Sequence, residues 1–320
     1  MNRATKFWLV TASVLFLIGG IVFAGGMSVL KWDFTKLSSI KFETNDYIIN
    51  GEYRNISIVT DTADIEFTVS DDSTGSVICY EYETQKHSVS VKDDTLVIEI
   101  EDTRKWYEYI GINFGTPKIT VILPGGVYGA LTVKSSTGDL NIPADFNFES
   151  VDITESTGNV TNYASVSDSV KIKTGTGKIT LENLKAGSLD LSVSTGKVVI
   201  NKMDCHGDIN INVSTGKTEI TDTKCANLTS NGSTGAMILT NAVASEGISI
   251  NRSTGDVKLE GCDAAELHIK TNTGDVKGSL LSEKVFITES DTGHINIPQT
   301  TSGGVCEIST DTGNINITVE

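Results

Sequence analysis

Thr-Gly pairs recur through the last three-fifths of this 320-residue chain, and they keep phase. Their glycines are Gly138, Gly158, Gly177, Gly196, Gly216, Gly235, Gly255, Gly274, Gly293 and Gly313, each 19 or 20 residues from the next. A unit this short cannot bury an apolar face alone, so units with such a period must stack into one continuous core.

Side chains alternate on both flanks of each glycine. Leu131 and Val133 precede Gly138, and Leu140 and Ile142 follow it; Leu189, Leu191, Val198 and Ile200 sit likewise around Gly196. Alternation with period 2 is strand geometry with one face buried. The sequence therefore predicts an all-β, parallel single-stranded β-solenoid of about ten 19–20-residue coils. The handedness rule for parallel crossovers favours a right-handed one. A leucine-rich horseshoe is excluded, because no Asn or Cys ladder and no helical period accompany the repeat. Antiparallel strands joined at Thr-Gly turns are the competing arrangement.

Each glycine is expected at a bent corner with positive φ. The preceding threonines, Thr137, Thr157, Thr176, Thr195, Thr215, Thr234, Thr254, Thr273, Thr292 and Thr312, form one column. Counting alternation from Leu131 and Val133 points them inward, as a structural ladder of hydroxyls about 5 Å apart. The alternative is an outward array matching ice or a polysaccharide lattice.

The chain begins with Arg3 and Lys6, followed by an uncharged stretch over 7–30. About 20 apolar residues span a bilayer, so this stretch reads as a transmembrane signal-anchor. A cleaved signal peptide ending near Ala24 is the competitor, with an apolar segment longer than such peptides use. Residues 1–6 are then a short basic cytoplasmic tail, and the C-terminal domain is extracytoplasmic on a single-pass cell-membrane protein. Rings cluster in 31–130, whereas 131–320 hold only Phe146, Phe148, Tyr163 and Phe286. Residues 31–130 are read as a β-rich capping region with strands near 76–83, 88–101 and 118–123, and TDTADIEF as a degenerate first coil. Residues 131–320 are the β-solenoid repeats, and the sequence, stopping directly after the last coil, predicts an open strand edge there.

A net charge of −16 with no basic run makes nucleic acid a poor partner. Five cysteines without a CxxC pattern point to neither a disulfide scaffold nor a zinc site. No GxSxG, HExxH or Walker loop occurs, and the four histidines fall at unrelated offsets. No catalytic, cofactor or metal residues are assigned.

The apolar N-terminal segment, the TDTADIEF strand and the serial STGD, STGK and DTGN turns together resemble a bacterial family of putative adhesins built of β-strand repeats, catalogued as a domain of unknown function. The resemblance covers about 55–320. It implies a surface-exposed β-solenoid with roles in adhesion or envelope stress, and no catalytic residues to carry over.

Three groups are candidate contacts or sites. Lys178, Lys197 and Lys217 follow successive glycines and would stack as a positive stripe facing anionic wall polymers, or simply as a solvated face. Trp106 and Tyr107 open an apolar segment, 106–114, that either plugs the core or meets a partner. Cys205 and Cys225 fall at one offset on neighbouring coils, where Ala186, Ala244 and Ala264 also fall. The column is thus one of buried small residues, with a disulfide as the alternative. The function expected is a non-catalytic, membrane-anchored surface module, an adhesin or envelope-interaction element binding cell-wall polymer, glycan or surface protein. The alternatives are a regulatory or sensory component of an envelope-stress system, and a carbohydrate-active β-helix enzyme.

Overall fold

A computed structural model describes residues 2–33, 41–71, 74–102 and 115–320. Helix α1 (Arg3–Val29) starts at Asn2, whose side-chain oxygen accepts the Ala4 N–H and caps the first turn. It is long and apolar enough to cross a membrane, with a mean hydropathy of 2.3 over its best window.

From Gly126 to Leu280 the strands pair in parallel, each rung on the next. Leu131 stands beside Val151 and Val151 beside Val170; Val133, Ile153 and Ile172 form the adjoining column. Past the corner, Leu140, Val160 and Ile179 stack in the same way. These columns are fully buried and make one continuous core. Burying a Val, Leu or Ile contributes about 1.5–3 kcal/mol, so the stack as a whole supplies what no single rung could.

A second corner lies six residues beyond the first. Asn183, Lys202, Asp222 and Asn241 all take positive φ near 50°, and Gly261 completes their column. Asn, Asp and Gly tolerate that conformation best, which accounts for every member of the column except Lys202.

Upstream, β1 (Phe42–Ile48), β2 (Asn55–Val59), β3 (Asp64–Val69), β4 (Ser76–Tyr82), β5 (Gln85–Lys92), β6 (Thr95–Asp102) and β7 (Lys118–Leu123) join the same sheet. The strand expected over 88–101 is instead a hairpin. Asp93 and Asp94, both with positive φ, turn β5 into β6. Strands β2 and β3 form the degenerate first rung, pairing in parallel with the Gly138 rung through Ile58↔Val133 and Ile65↔Leu140. Their other edges pair in parallel with β6 and β7. Strands β5 and β4 then close that end by antiparallel pairing, and β1 lies outside β4.

The C-terminal end departs from sequence order. Glu266–Thr273 of the Gly274 rung pairs with Gly304–Thr312, and Lys284–Thr292 pairs on the far side of Gly304–Thr312. The last 19-residue unit is therefore inserted between its two predecessors. Ile315–Val319, expected as an open edge, is flanked by Val276–Leu280 and by Ile295–Asn296. Among the described residues the open edge belongs to 284–296, where Ile287 is 57% exposed. Tight backbone approaches permit the insertion: a Cβ on Gly304 would stand 1.7 Å from the Ala265 carbonyl oxygen. Both ends share this inversion, since β2 and β3 also lie inside β6 and β7.

The scarcity of rings beyond residue 131 does not mean a core closed to them. Phe146 and Phe148 are fully buried and meet Phe67 edge-on, with centroids 5.9 and 6.4 Å away. The N-terminal end of the core takes these rings.

Candidate functional site

The corner is the most regular surface element. All ten Thr-Gly glycines have φ between +131° and +159°. A Cβ on Gly216 would stand 1.5 Å from the Gly196 carbonyl oxygen, and the same contact repeats along the column. Backbone stacks directly on backbone there, so only glycine fits.

The threonines pair rung to rung, Thr195 with Thr215 and Thr215 with Thr234, but every one is exposed. The inward expectation is thereby corrected. Two consecutive residues before each glycine face out, as Ser156 and Thr157 do, so alternation breaks one residue earlier than the glycine. The inward column lies three residues before each glycine: Glu155, Thr174, Val193, Val213, Gly232, Arg252 and Thr271 among others. Outside it runs a ledge of Ser and Thr hydroxyls at the rung spacing of about 4.8 Å.

One residue after the glycine, side chains tie rung to rung. Asp139 N–H donates to Asp64 Oδ1, Asn159 N–H to Asp139 Oδ1, and Lys178 N–H to Asn159 Oδ1, at 2.8–3.0 Å. The chain Asp256, Asp275, Asn314 and His294 repeats the pattern in the inverted order of the C-terminal rungs. These acidic side chains have backbone partners, which explains them without a metal ion.

Lys197 and Lys217 do not form a bare positive stripe. Both ammonium groups lie 2.5 Å from Glu219, whose carboxyl their hydrogen bonds hold below the ordinary range. Trp106 and Tyr107 lie outside the described residues. Cys205 and Cys225 are free, buried thiols on adjacent rungs, in the same small-residue column as Ala186, Ala244 and Ala264. Burial pushes the Cys225 thiol up to about 12, so it is no nucleophile at neutral pH.

Two charged groups in the inward column were not singled out from sequence. Glu155 is 4% exposed, its Oε2 has no hydrogen-bond partner, and burial with Asp139 and Asp64 nearby pushes its carboxyl up to about 8. Arg252 is 1% exposed; its Nη2 donates to Ser230 Oγ at 2.8 Å and to Thr218 Oγ1 at 3.2 Å. The signal existed: counted three residues before each glycine, Glu155, Gly232 and Arg252 interrupt a column otherwise made of Val, Thr and Ser. Finding it needed the correct phase.

A groove of about 620 Å³ lies in the capping region against Tyr53 and Tyr128, whose rings stack at 6.3 Å. A second, about 550 Å³, follows the αL corner past Met203, Val243 and Leu281.

Comparisons with known proteins place this geometry. A putative adhesin from Parabacteroides distasonis has a solved structure 11% identical over 87% of this chain and 98% of its own, with a TM-score of 0.50. A putative adhesin from Bacteroides fragilis is 17% identical over 87% and 97%, at 0.43. A putative lipid binding protein from Parabacteroides distasonis is 17% identical over 84% and 98%, at 0.47. At such identities the likeness concerns the fold. No curated protein matches by sequence. The Toastrack DUF4097 family matches residues 53–212 and 204–320, which include all of 131–320, and the chain belongs to that family.

Proposed function

We propose that this protein is a non-catalytic surface rod, tethered to the cell membrane by α1 with the β-solenoid outside, that contacts a polyhydroxylated polymer of the cell wall or a glycan. The observation that carries it is the exposed Ser-Thr ledge. Threonines from successive rungs stand in register, beside Ser194, Ser214, Ser233 and Ser253, along one edge of the rod. Hydroxyls on a rigid backbone at a fixed repeat offer both donors and acceptors with little ordering cost, which suits a repeating polymer of hydroxyl groups. The Lys178, Lys197 and Lys217 column borders that ledge, with Lys197 and Lys217 paired to Glu219. The adhesin descriptions of the similar structures agree with a surface role.

A triple variant, Thr195→Val, Thr215→Val and Thr234→Val, tests the reading. These side chains are solvent-facing, so the fold should persist. Binding of the chain to purified wall polymer and to a glycan array should fall at least tenfold. Unchanged binding by the folded triple variant would sink the ledge as the contact surface, as would the lack of any binding by the unmodified chain.

A further inference from the structure

The hairpin of β4 and β5 buries three groups of a kind rarely placed together without purpose. Cys79 and Glu81 alternate on one face of β4, and His87 lies on β5; they are 0%, 1% and 3% exposed. A ligand atom from each lies within 4.8 Å of the other two. Glu81 Oε2 stands 2.6 Å from His87 Nδ1 and accepts the His87 backbone N–H at 2.7 Å.

What surrounds the trio fixes its orientation. His87 Nε2 engages Thr60 Oγ1 at 2.9 Å, which turns Nδ1 toward the carboxylate and the thiol. Asn45 Nδ2 donates to Glu81 Oε1 at 2.7 Å, leaving Oε2 as the inward oxygen. The Tyr47 hydroxyl donates to the His87 carbonyl at 2.8 Å and holds the strand in place. Metal-binding imidazoles and carboxylates depend on outer partners of this kind.

We propose that Cys79 Sγ, Glu81 Oε2 and His87 Nδ1 bind a zinc-class divalent transition-metal ion. One thiolate, one carboxylate and one neutral imidazole balance a doubly charged ion, so the buried site carries no net charge. Sulfur and nitrogen donors select against calcium and magnesium, which take oxygen. On binding, the Cys79 thiol gives its proton to solvent and Sγ bonds the ion; the imidazole proton passes from Nδ1 to Nε2, where Thr60 Oγ1 accepts it, so that the Nδ1 lone pair and Glu81 Oε2 turn from each other to the ion. The ion would join β4 to β5, and through Thr60 it would brace the capping hairpin against the first rung. It acts as a structural staple at the end of the stack.

The test uses the full chain without an affinity tag, purified from cells grown with added zinc. Elemental mass spectrometry should find one zinc per chain, and a strong chelator should lower the melting temperature. Cobalt exchanged into the site should show a thiolate-to-metal charge-transfer band. Cys225→Ser should keep that band, and Cys79→Ser and His87→Gln should lose it. A metal-free chain with no cobalt band, whose melting is indifferent to zinc and chelator, would leave a plain buried Glu–His hydrogen bond and overturn the proposal. So would a folded Cys79→Ser chain that keeps its metal.

Discussion

The guanidinium of Arg252 fills the space that a side chain at Gly232, one rung earlier in the same inward column, would need. A Cβ on Gly232 would stand 1.8 Å from Arg252 Nη1 and 2.7 Å from the Val213 carbonyl oxygen. A buried cation with Nε and Nη1 unpartnered is expensive, although burial brings its pKa down only to about 10 and leaves it charged.

Removing that charge should therefore not weaken the rod. Arg252→Leu keeps apolar bulk in the column and is expected to be neutral or to stabilise by about 1–3 kcal/mol. Gly232→Ala should destabilise, and Arg252→Leu should recover only part of the loss, because the contact with the Val213 carbonyl remains. Urea unfolding of the two single variants and the double variant measures this; a large loss for Arg252→Leu alone would contradict it.

Corner position and flank should respond very differently. Gly216→Val puts a branched side chain at φ +144° and onto the Gly196 carbonyl, and should cost more than about 3 kcal/mol. Lys217→Ala removes one of two lysines on a half-exposed Glu219 and should cost less than about 1 kcal/mol. Thermal melts of the two variants compare them directly, and equal shifts would refute the stacked-corner geometry.

Glu155 should make stability depend on pH. Its carboxyl is raised from 4.5 to about 8 in the folded chain, so folding favours the protonated form. That contribution is complete below about 4.5 and is lost as pH rises through about 8, an effect on the order of a few kcal/mol. Glu155→Gln should remove this decline and be the more stable chain at pH 8 and above. Parallel pH slopes for the two proteins would argue against a raised carboxyl.

The inserted last rung predicts an unusual truncation effect. Ending the chain at Gly303 removes Gly304–Thr312 and Ile315–Val319, the strand partners that Lys284–Thr292 and Ile295–Asn296 have among the described residues. Backbone amides over 284–296 should then lose protection from hydrogen exchange along with the deleted rung. Full protection of 284–296 in the truncated chain would mean that rungs there follow sequence order.

Much of this architecture was legible in the sequence because it is local and repeated. A 19–20-residue interval with period-2 alternation specifies parallel rungs wherever neighbours in sequence are neighbours in space. The buried columns through Leu131, Val151 and Val170 followed from that alone. The trio in the capping hairpin was not legible. Cys79, Glu81 and His87 match no paired-cysteine spacing, and only the pairing of β4 with β1 and the placing of β5 over the first rung bring Asn45 and Thr60 to them.

Sequence by itself determined the repeat, the strand faces, the glycine corners and the apolar N-terminal helix, since each depends on residues a few positions apart. Tertiary structure decided the outward turn of the threonines, because one extra outward residue reverses a parity that counting carries forward unbroken. It also decided the order of rungs at both ends. Gly274, Gly293 and Gly313 keep the same interval whichever rung lies inside, and the choice rests on pairings such as Leu267 with Cys306, far apart along the chain.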